Sequence, residues 1–267
     1  MSKKLLAMDL DGTAVKDDYS MSLSSVEAIK KAQDNGHIVA YVSGRRDVDM
    51  LTLGDEKWCV DYQILNNGGK IIRCKDKKII MNQTIDEETS KKLITFALGN
   101  NLQLHICNGM IWQVTKMTDG TMNYAKKVGV IPEVVDSLDK IDYSAIEGFM
   151  ATSDLDPIGK YIDENLENLC YSHSEPGTID IMRKDVSKWN GIKALADTLG
   201  IDYKDTITVG NYYNDIDMLK KAGIGIAVEN SVQEAKDAAD YVTKEDNNHD
   251  AVKEIVDLMV KGEFDNE

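Results

Sequence analysis

Proline is scarce in this chain of 267 residues: there are three, Pro132, Pro157 and Pro176, all in its middle. With 19 glycines that follow no period, the composition excludes a collagen-like or proline-rich chain. The four cysteines, Cys59, Cys74, Cys107 and Cys170, show no CxxC spacing and read as reduced, isolated thiols, not as a disulfide framework. Four scattered histidines, His37, His105, His173 and His249, argue against a histidine-built zinc site. No apolar run approaches the roughly 20 residues that a spanning helix needs. The short apolar stretch after Lys3-Lys4 meets Asp9 and Asp11 before it reaches the length of a signal peptide. Basic residues are in deficit too, with Lys+Arg 31 against Asp+Glu 46 and a formal net charge of −15. So acidic a surface repels phosphate backbones and anionic lipids, which excludes nucleic acid and membranes as expected partners. The expectation is a soluble cytoplasmic protein, and nothing in the sequence specifies an oligomeric state.

Hydrophobic residues make up 42% and charged residues 29%, the balance of a folded globular chain. Lys4–Met8 is apolar without alternation, the pattern of a strand covered on both faces in a parallel sheet. The capping-box pattern Ser24-Ser25-Val26-Glu27 opens a helix that Asn35-Gly36 closes, and residues 37–42 give a second buried strand. That is a βαβ unit. The alternation returns later: a helix over 189–198, a strand over 206–209, a helix through Met218 and Leu219, a strand over 224–228 and a further helix after Ser231. Alternating apolar strands and helices imply an open, doubly wound, mostly parallel α/β sheet.

The middle differs. Asn108-Gly109 between two apolar runs is a strong hairpin signal, and a second hairpin is expected across Glu175-Pro176-Gly177. Asp156-Pro157 reads as a helix N-cap followed by proline in the first turn. We therefore expect an inserted α+β cap domain over residues 82–186, with 1–81 and 187–267 forming the core and 261–267 a frayed tail.

Ligands in open α/β sheets bind beyond the carboxyl ends of the strands, where three of these strands end in polar clusters. The clusters are Asp9-Leu10-Asp11-Gly12-Thr13, Ser43-Gly44-Arg45 and residues 210–215. Strand period places Asp9 and Asp11 on one side. Two carboxylates about 4 Å apart repel by about 4 kcal/mol at an effective dielectric near 20. Adding Asp215 calls for a cation, and oxygen-only ligands favour magnesium. Taken singly, each residue also has a plain structural reading: an Asp-Gly turn, a helix cap at Ser43, a surface lysine at Lys188. Trp112, Tyr124 and Tyr212 suit packing as well as stacking on a substrate, and Arg45 and Arg183 suit salt bridges as well as anion contacts. No G-x-G-x-x-G follows the first strand, and G-x-x-x-x-G-K-[ST] is absent, so dinucleotide and P-loop chemistry are unsupported.

In their order, Asp9-Leu10-Asp11-Gly12-Thr13, Val42-Ser43-Gly44-Arg45, Val186-Ser187-Lys188-Trp189-Asn190 and Gly210-Asn211-Tyr212-Tyr213-Asn214-Asp215 resemble the four motifs of the haloacid dehalogenase (HAD) superfamily. Asn67-Gly68 after a strand and the late Asp250-Ala251-Val252 resemble its Cof-type subgroup, whose members carry a large α/β cap. The resemblance implies a magnesium-dependent phosphatase acting on a small phosphorylated metabolite, of sugar-phosphate type, through an aspartyl-phosphate. Asp9 would be the nucleophile and Asp11 the general acid and base. Thr13, Ser43, Gly44, Arg45, Lys188 and Asn214 would bind substrate phosphate, and Asp9, Asp11, Asn211 and Asp215 would hold Mg2+. A phosphomutase, or a weakly active phosphometabolite-binding protein, fits the same motifs. One position departs from the pattern: Asn211 stands where the family has a metal-binding aspartate, which implies weaker metal affinity and reduced turnover.

Overall fold

The computed structural model describes residues 3–175 and 177–265, so Pro176 and the turn expected around it lie in part outside the described residues. The chain divides into two compact units, one of Met1–Ser43, Leu53–Met81 and Ser187–Glu267, the other of Gly44–Thr52 and Asn82–Val186.

The first unit begins with β1 (Leu5–Met8), α1 (Leu23–Asp34), β2 (Ile38–Val42), β3 (Tyr62–Leu65), β4 (Lys70–Arg73) and β5 (Lys78–Asn82). The second contains α2 (Glu87–Gly99), β6 (His105–Asn108), β7 (Ile111–Val114), α3 (Asp119–Val128), β8 (Glu133–Val134), β9 (Gly148–Ala151), α4 (Leu155–Asn165), β10 (Leu169–Glu175) and β11 (Thr178–Arg183). The first resumes with α5 (Lys188–Leu199), β12 (Thr206–Gly210), α6 (Ile216–Lys221), β13 (Ile224–Ala227), α7 (Gln233–Ala238), β14 (Tyr241–Val242) and α8 (Ala251–Val260).

The first unit is a doubly wound α/β fold. Its sheet runs β14-β13-β12-β1-β2-β3-β4-β5. It is parallel from β14 to β3 and turns antiparallel at β4. β1 lies at its centre with all four residues buried, as its unbroken apolar run requires. Leu5, Ala7, Ala40, Val42 and Ile64 pack against Trp189, Ile192 and Leu195 of α5. Each large apolar side chain so buried is worth about 1.5–3 kcal/mol, which fixes where α5 starts relative to the ends of β1 and β2. The cap of α1 is Ser22, whose Oγ accepts from Ser25 N–H at 3.1 Å, two residues before the serine that the sequence pattern indicates.

In the second unit a six-stranded sheet runs β10-β11-β9-β6-β7-β8, antiparallel except where β8 lies parallel to β7. Leu93 and Ile94 of α2 and Ile158 and Ile162 of α4 cover one face, on Ile106, Phe149, Ile179 and Ile181. The Asn108-Gly109 hairpin forms between β6 and β7. The cap of α4 is Asp154 in a left-handed conformation, so Asp156 and Pro157 sit inside the first turn.

Several details differ from the sequence reading. The segment Gly44–Thr52 belongs with the second unit, because Val48 packs on Trp112, Ala125 and Val128, residues too distant in sequence to be anticipated. Trp112 is a packing residue that carries the Arg46 guanidinium 4.8 Å above its ring, and Arg183 pairs with Asp185 at 2.7 Å. Of the tail expected to fray, residues 261–265 are described and docked: Phe264 is buried against Tyr241, and Asp265 meets Lys4 at 3.1 Å. Among the described residues no helix is long and apolar enough to cross a membrane.

Candidate active site

The site grows from the end of β1. The strand stops at Met8, and Asp9 N–H still donates to Val209 on β12 at 2.9 Å. The chain then turns tightly, with the N–H groups of Thr13, Ala14 and Val15 all folding back onto the Leu10 carbonyl. This turn leaves Asp9 buried and Asp11 exposed. Asp11 nonetheless stays near enough for its charge to act on Asp9.

Lys188 is the first residue of α5, behind the cap Ser187, whose Oγ accepts from Asn190 N–H at 3.1 Å. Its Nζ lies 2.6 Å from Asp9 Oδ1 and 2.6 Å from Asp215 Oδ1. All three side chains are buried. Burial alone would discharge the ammonium, but the carboxylates of Asp215 and Asp9 outweigh it and hold Lys188 well above the usual lysine range. Asp9 is pushed up to about 7, first by burial and then by Asp215 and Asp11, with Lys188 opposing. The cation that the sequence argument demanded is thus supplied in part by the protein itself.

Asp215 accepts at its second oxygen from the N–H groups of Asn211 at 2.8 Å and Tyr212 at 3.0 Å, which folds the loop after β12 over its own carboxylate. That loop brings Asn211 against Gly12: a Cβ at residue 12, which has φ +71, would sit 2.5 Å from Asn211 Nδ2. Asn211 Oδ1 and Thr13 Oγ1 are buried polar atoms with no hydrogen-bond partner among the described residues. Buried oxygens are ordinarily satisfied, so two orphans on adjoining loops mark a place built for something polar.

The three aspartates alone do not make a metal cage: among the described residues no group of three or more His, Cys, Asp or Glu is arranged to hold an ion. With Asn211 Oδ1 counted, the available donors are all oxygen, the set that suits a hard divalent cation. Ser43 directly follows β2, buried, with its N–H donating to the Ile64 carbonyl. Asn214 Nδ2 reaches Asn67 Oδ1 at 3.4 Å. Gly44 and Arg45 belong to the second unit, where Arg45 donates to Thr52 Oγ1 at 2.7 Å.

Two residues near this site carried no role in the sequence reading. Asn230 Nδ2 donates to the Gly12 carbonyl at 2.8 Å, and Asn247 Nδ2 to the Val15 carbonyl at 3.0 Å. Together they peg the turn that follows Asp11. Lone asparagines in loops give no signal for this.

The family model described as haloacid dehalogenase-like hydrolase matches residues 6–256. A 5-amino-6-(5-phospho-D-ribitylamino)uracil phosphatase of Bacillus subtilis is 26% identical, over 98% of this chain and 99% of its own length. An Escherichia coli enzyme of the same name is 26% identical, over 98% of each chain. A crystal structure of a haloacid dehalogenase-like hydrolase from Bacteroides thetaiotaomicron superposes with a TM-score of 0.85 at 23% identity, covering 97% of this chain and 100% of that one.

Proposed function

We propose, because the chain belongs to the haloacid dehalogenase-like hydrolase family, that Asp9 is the nucleophile of a two-step hydrolysis of small phosphomonoesters in the cytoplasm. The chain is a phosphoric monoester hydrolase of that family; the proposal concerns how it acts and on what. The observation that carries it is the buried Lys188, shared at 2.6 Å between Asp9 and Asp215.

In this reading one Asp9 oxygen is held by Lys188 while the other attacks phosphorus in line with the ester oxygen. Restricting the carboxylate to one rotamer converts binding into alignment, from which phosphoryl transfer gains most. Asp11, exposed on the turn, protonates the departing alkoxide and then takes a proton from the water that hydrolyses the aspartyl-phosphate. Its exposure suits a group that must exchange protons twice per turnover. Lys188 offsets charge on the transferring group, while Ser43, Thr13 and Asn214 donate to its oxygens. Among the described residues Thr13 Oγ1 has no partner to give up for that contact.

Mg2+ would be held by the Asp9 carboxylate, the main chain of Asp11 and Asn211 Oδ1, and when bound it neutralises charge on the phosphoryl oxygens. The orphaned Asn211 oxygen supports this fit. Both Asp215 oxygens are engaged by protein donors, so its part is to set Lys188 and the Asn211 loop. The amide at 211 brings an oxygen without a charge, which weakens the hold on the ion.

The substrate we favour is a phosphorylated sugar or polyol, in line with the phosphoribityl compound in the names of the two curated relatives. Phosphate release from 5-amino-6-(5-phospho-D-ribitylamino)uracil and a panel of sugar phosphates, with Mg2+ and with EDTA, tests the reading. Mg2+-dependent release that vanishes in Asp9→Asn is the expected result. Activity that survives Asp9→Asn overturns it.

A further inference from the structure

The turn between β3 and β4, Asn66-Asn67-Gly68, has no part in the chemistry above, yet it touches three of the loops that carry it. Its residues take φ values of 52°, 53° and 105°, three left-handed conformations in a row. Non-glycine residues seldom adopt that region, and such strain persists only where the surroundings enforce it. Here the enforcing contacts are specific. Asn67 is buried, its N–H donates to the Ser43 carbonyl at 2.9 Å, and its Oδ1 accepts from Asn214 at 3.4 Å. One residue therefore joins the end of β2 to the loop after β12, two strands that β1 separates.

Gly68 fixes a third element. A Cβ on it would fall 2.0 Å from the Ser187 carbonyl oxygen and 3.2 Å from Gly191 N, so the first turn of α5 rests directly on the Gly68 backbone. Gly191 mirrors this, since its own Cβ would come 2.7 Å from Gly68 Cα. How closely α5 approaches sets where Lys188 begins, and Lys188 has two carboxylates to meet at 2.6 Å.

We propose that Asn67 and Gly68 are positioning residues for the phosphoryl-transfer site, Asn67 registering Ser43 against Asn214 and Gly68 setting the depth of Lys188. This rests on the reading that Asp9, Ser43 and Lys188 form the machinery. A misplacement of about 1 Å in such a site can cost on the order of 100-fold in rate. The backbone contact to Ser43 depends on the left-handed turn, and the contact to Asn214 depends on the side chain. Substitutions separate the two.

Asn67→Gly keeps a conformation that glycine favours and deletes the amide. We expect kcat to fall about tenfold with KM within about twofold, because the lost order is among groups that act on the transition state. Asn67→Asp retains an acceptor for Asn214 and should restore most of that loss. Asn67→Gly added to Asn214→Ala should cost little more than Asn214→Ala alone, since the side chain of Asn67 acts on the site through Asn214. Gly68→Ala should cost about 100-fold in kcat by displacing α5, and it should weaken binding of inorganic phosphate in calorimetry. Should Gly68→Ala fail to fold, the Asn67 series decides alone. A wild-type kcat in Asn67→Gly, or fully additive Asn67→Gly and Asn214→Ala effects, overturns the inference. If Asp9→Asn stays active, it is the reading of the site that falls. If Asp9→Asn is inactive and Asn67→Gly is unimpaired, the positioning role alone falls.

Discussion

Each unit buries an ionic cluster, and the two are built to opposite rules. In the second unit Arg46 meets Asp49 as a fork, Nε on one oxygen and Nη2 on the other, both at 2.7 Å. The guanidinium lies over Trp112 and Tyr124, with centroid distances of 4.8 and 5.6 Å. One charge answers one charge. Burial opposes both ions, yet Asp49 stays below the ordinary carboxylate range and Arg46 well above its own, each held by the other. In the first unit a single ammonium, Lys188, faces Asp9 and Asp215, with Asp11 close by, and Asp9 is pushed up to about 7. The balanced pair is finished and serves structure. The unbalanced cluster is satisfied when further positive charge arrives, and it is the one to which we assign the chemistry.

The sharpest way to break this contrast is Asp9→Asn. Turnover should drop by at least about 1,000-fold, as expected for loss of a nucleophile. The melting temperature should hold or rise, since a crowded buried charge is removed. A large loss of stability would place Asp9 with Asp49, as a structural partner. Asp49→Ala should do the reverse, stranding Arg46 and costing about 3–5 kcal/mol of stability, read from urea unfolding. The pair Arg46→Met with Asp49→Leu should recover most of that, because apolar replacement of a buried ion pair is often neutral. Failure to recover would mean that the pair holds more than itself.

Acid should loosen the second unit through His105. Burial, with Arg46 adding to it, drops its pKa to about 3, and its ring accepts from Trp112 at 2.9 Å. The folded state keeps it neutral while the unfolded chain protonates it near 6.5, so stability is whole above that pH and declines toward 3. By pH 4 the loss should be about 3 kcal/mol, and His105→Gln should flatten the slope. An equally steep decline in that variant would assign the effect to other groups. The smallest effect is at Asn211. Asn211→Asp should tighten Mg2+ about tenfold, roughly 1.4 kcal/mol, in a calorimetric titration. An unchanged affinity removes residue 211 from the ion's surroundings.

The strands that frame the site were legible because they are apolar throughout. Residues 206–209 were expected against Thr206–Gly210 found, and the polar clusters stand at strand ends, where the α/β rule places them. What local pattern could not supply was charge balance. Lys188 meets Asp9 across 179 residues of sequence, and nothing near either residue announces the pairing. The same blindness put residues 44–52 in the wrong unit, since Arg46 and Val48 find their aromatic partners beyond residue 110. The difference in burial between Asp9 and Asp11 was hidden for a different reason. Period-two reasoning assumes that the strand continues, and the Leu10 carbonyl ends it. Asn66-Asn67-Gly68 did carry a signal, because two asparagines before a glycine are what a run of left-handed residues needs.

The assignment of Gly44–Thr52 to the second unit changes the wiring between the two bodies. An ordinary insertion is joined to its host by two peptide links, but this chain crosses after Ser43, Thr52, Met81 and Val186. The first of these crossings is the bond from Ser43 to Gly44. A residue we assign to phosphate binding therefore stands one peptide bond away from a segment that packs into the other unit's hydrophobic core.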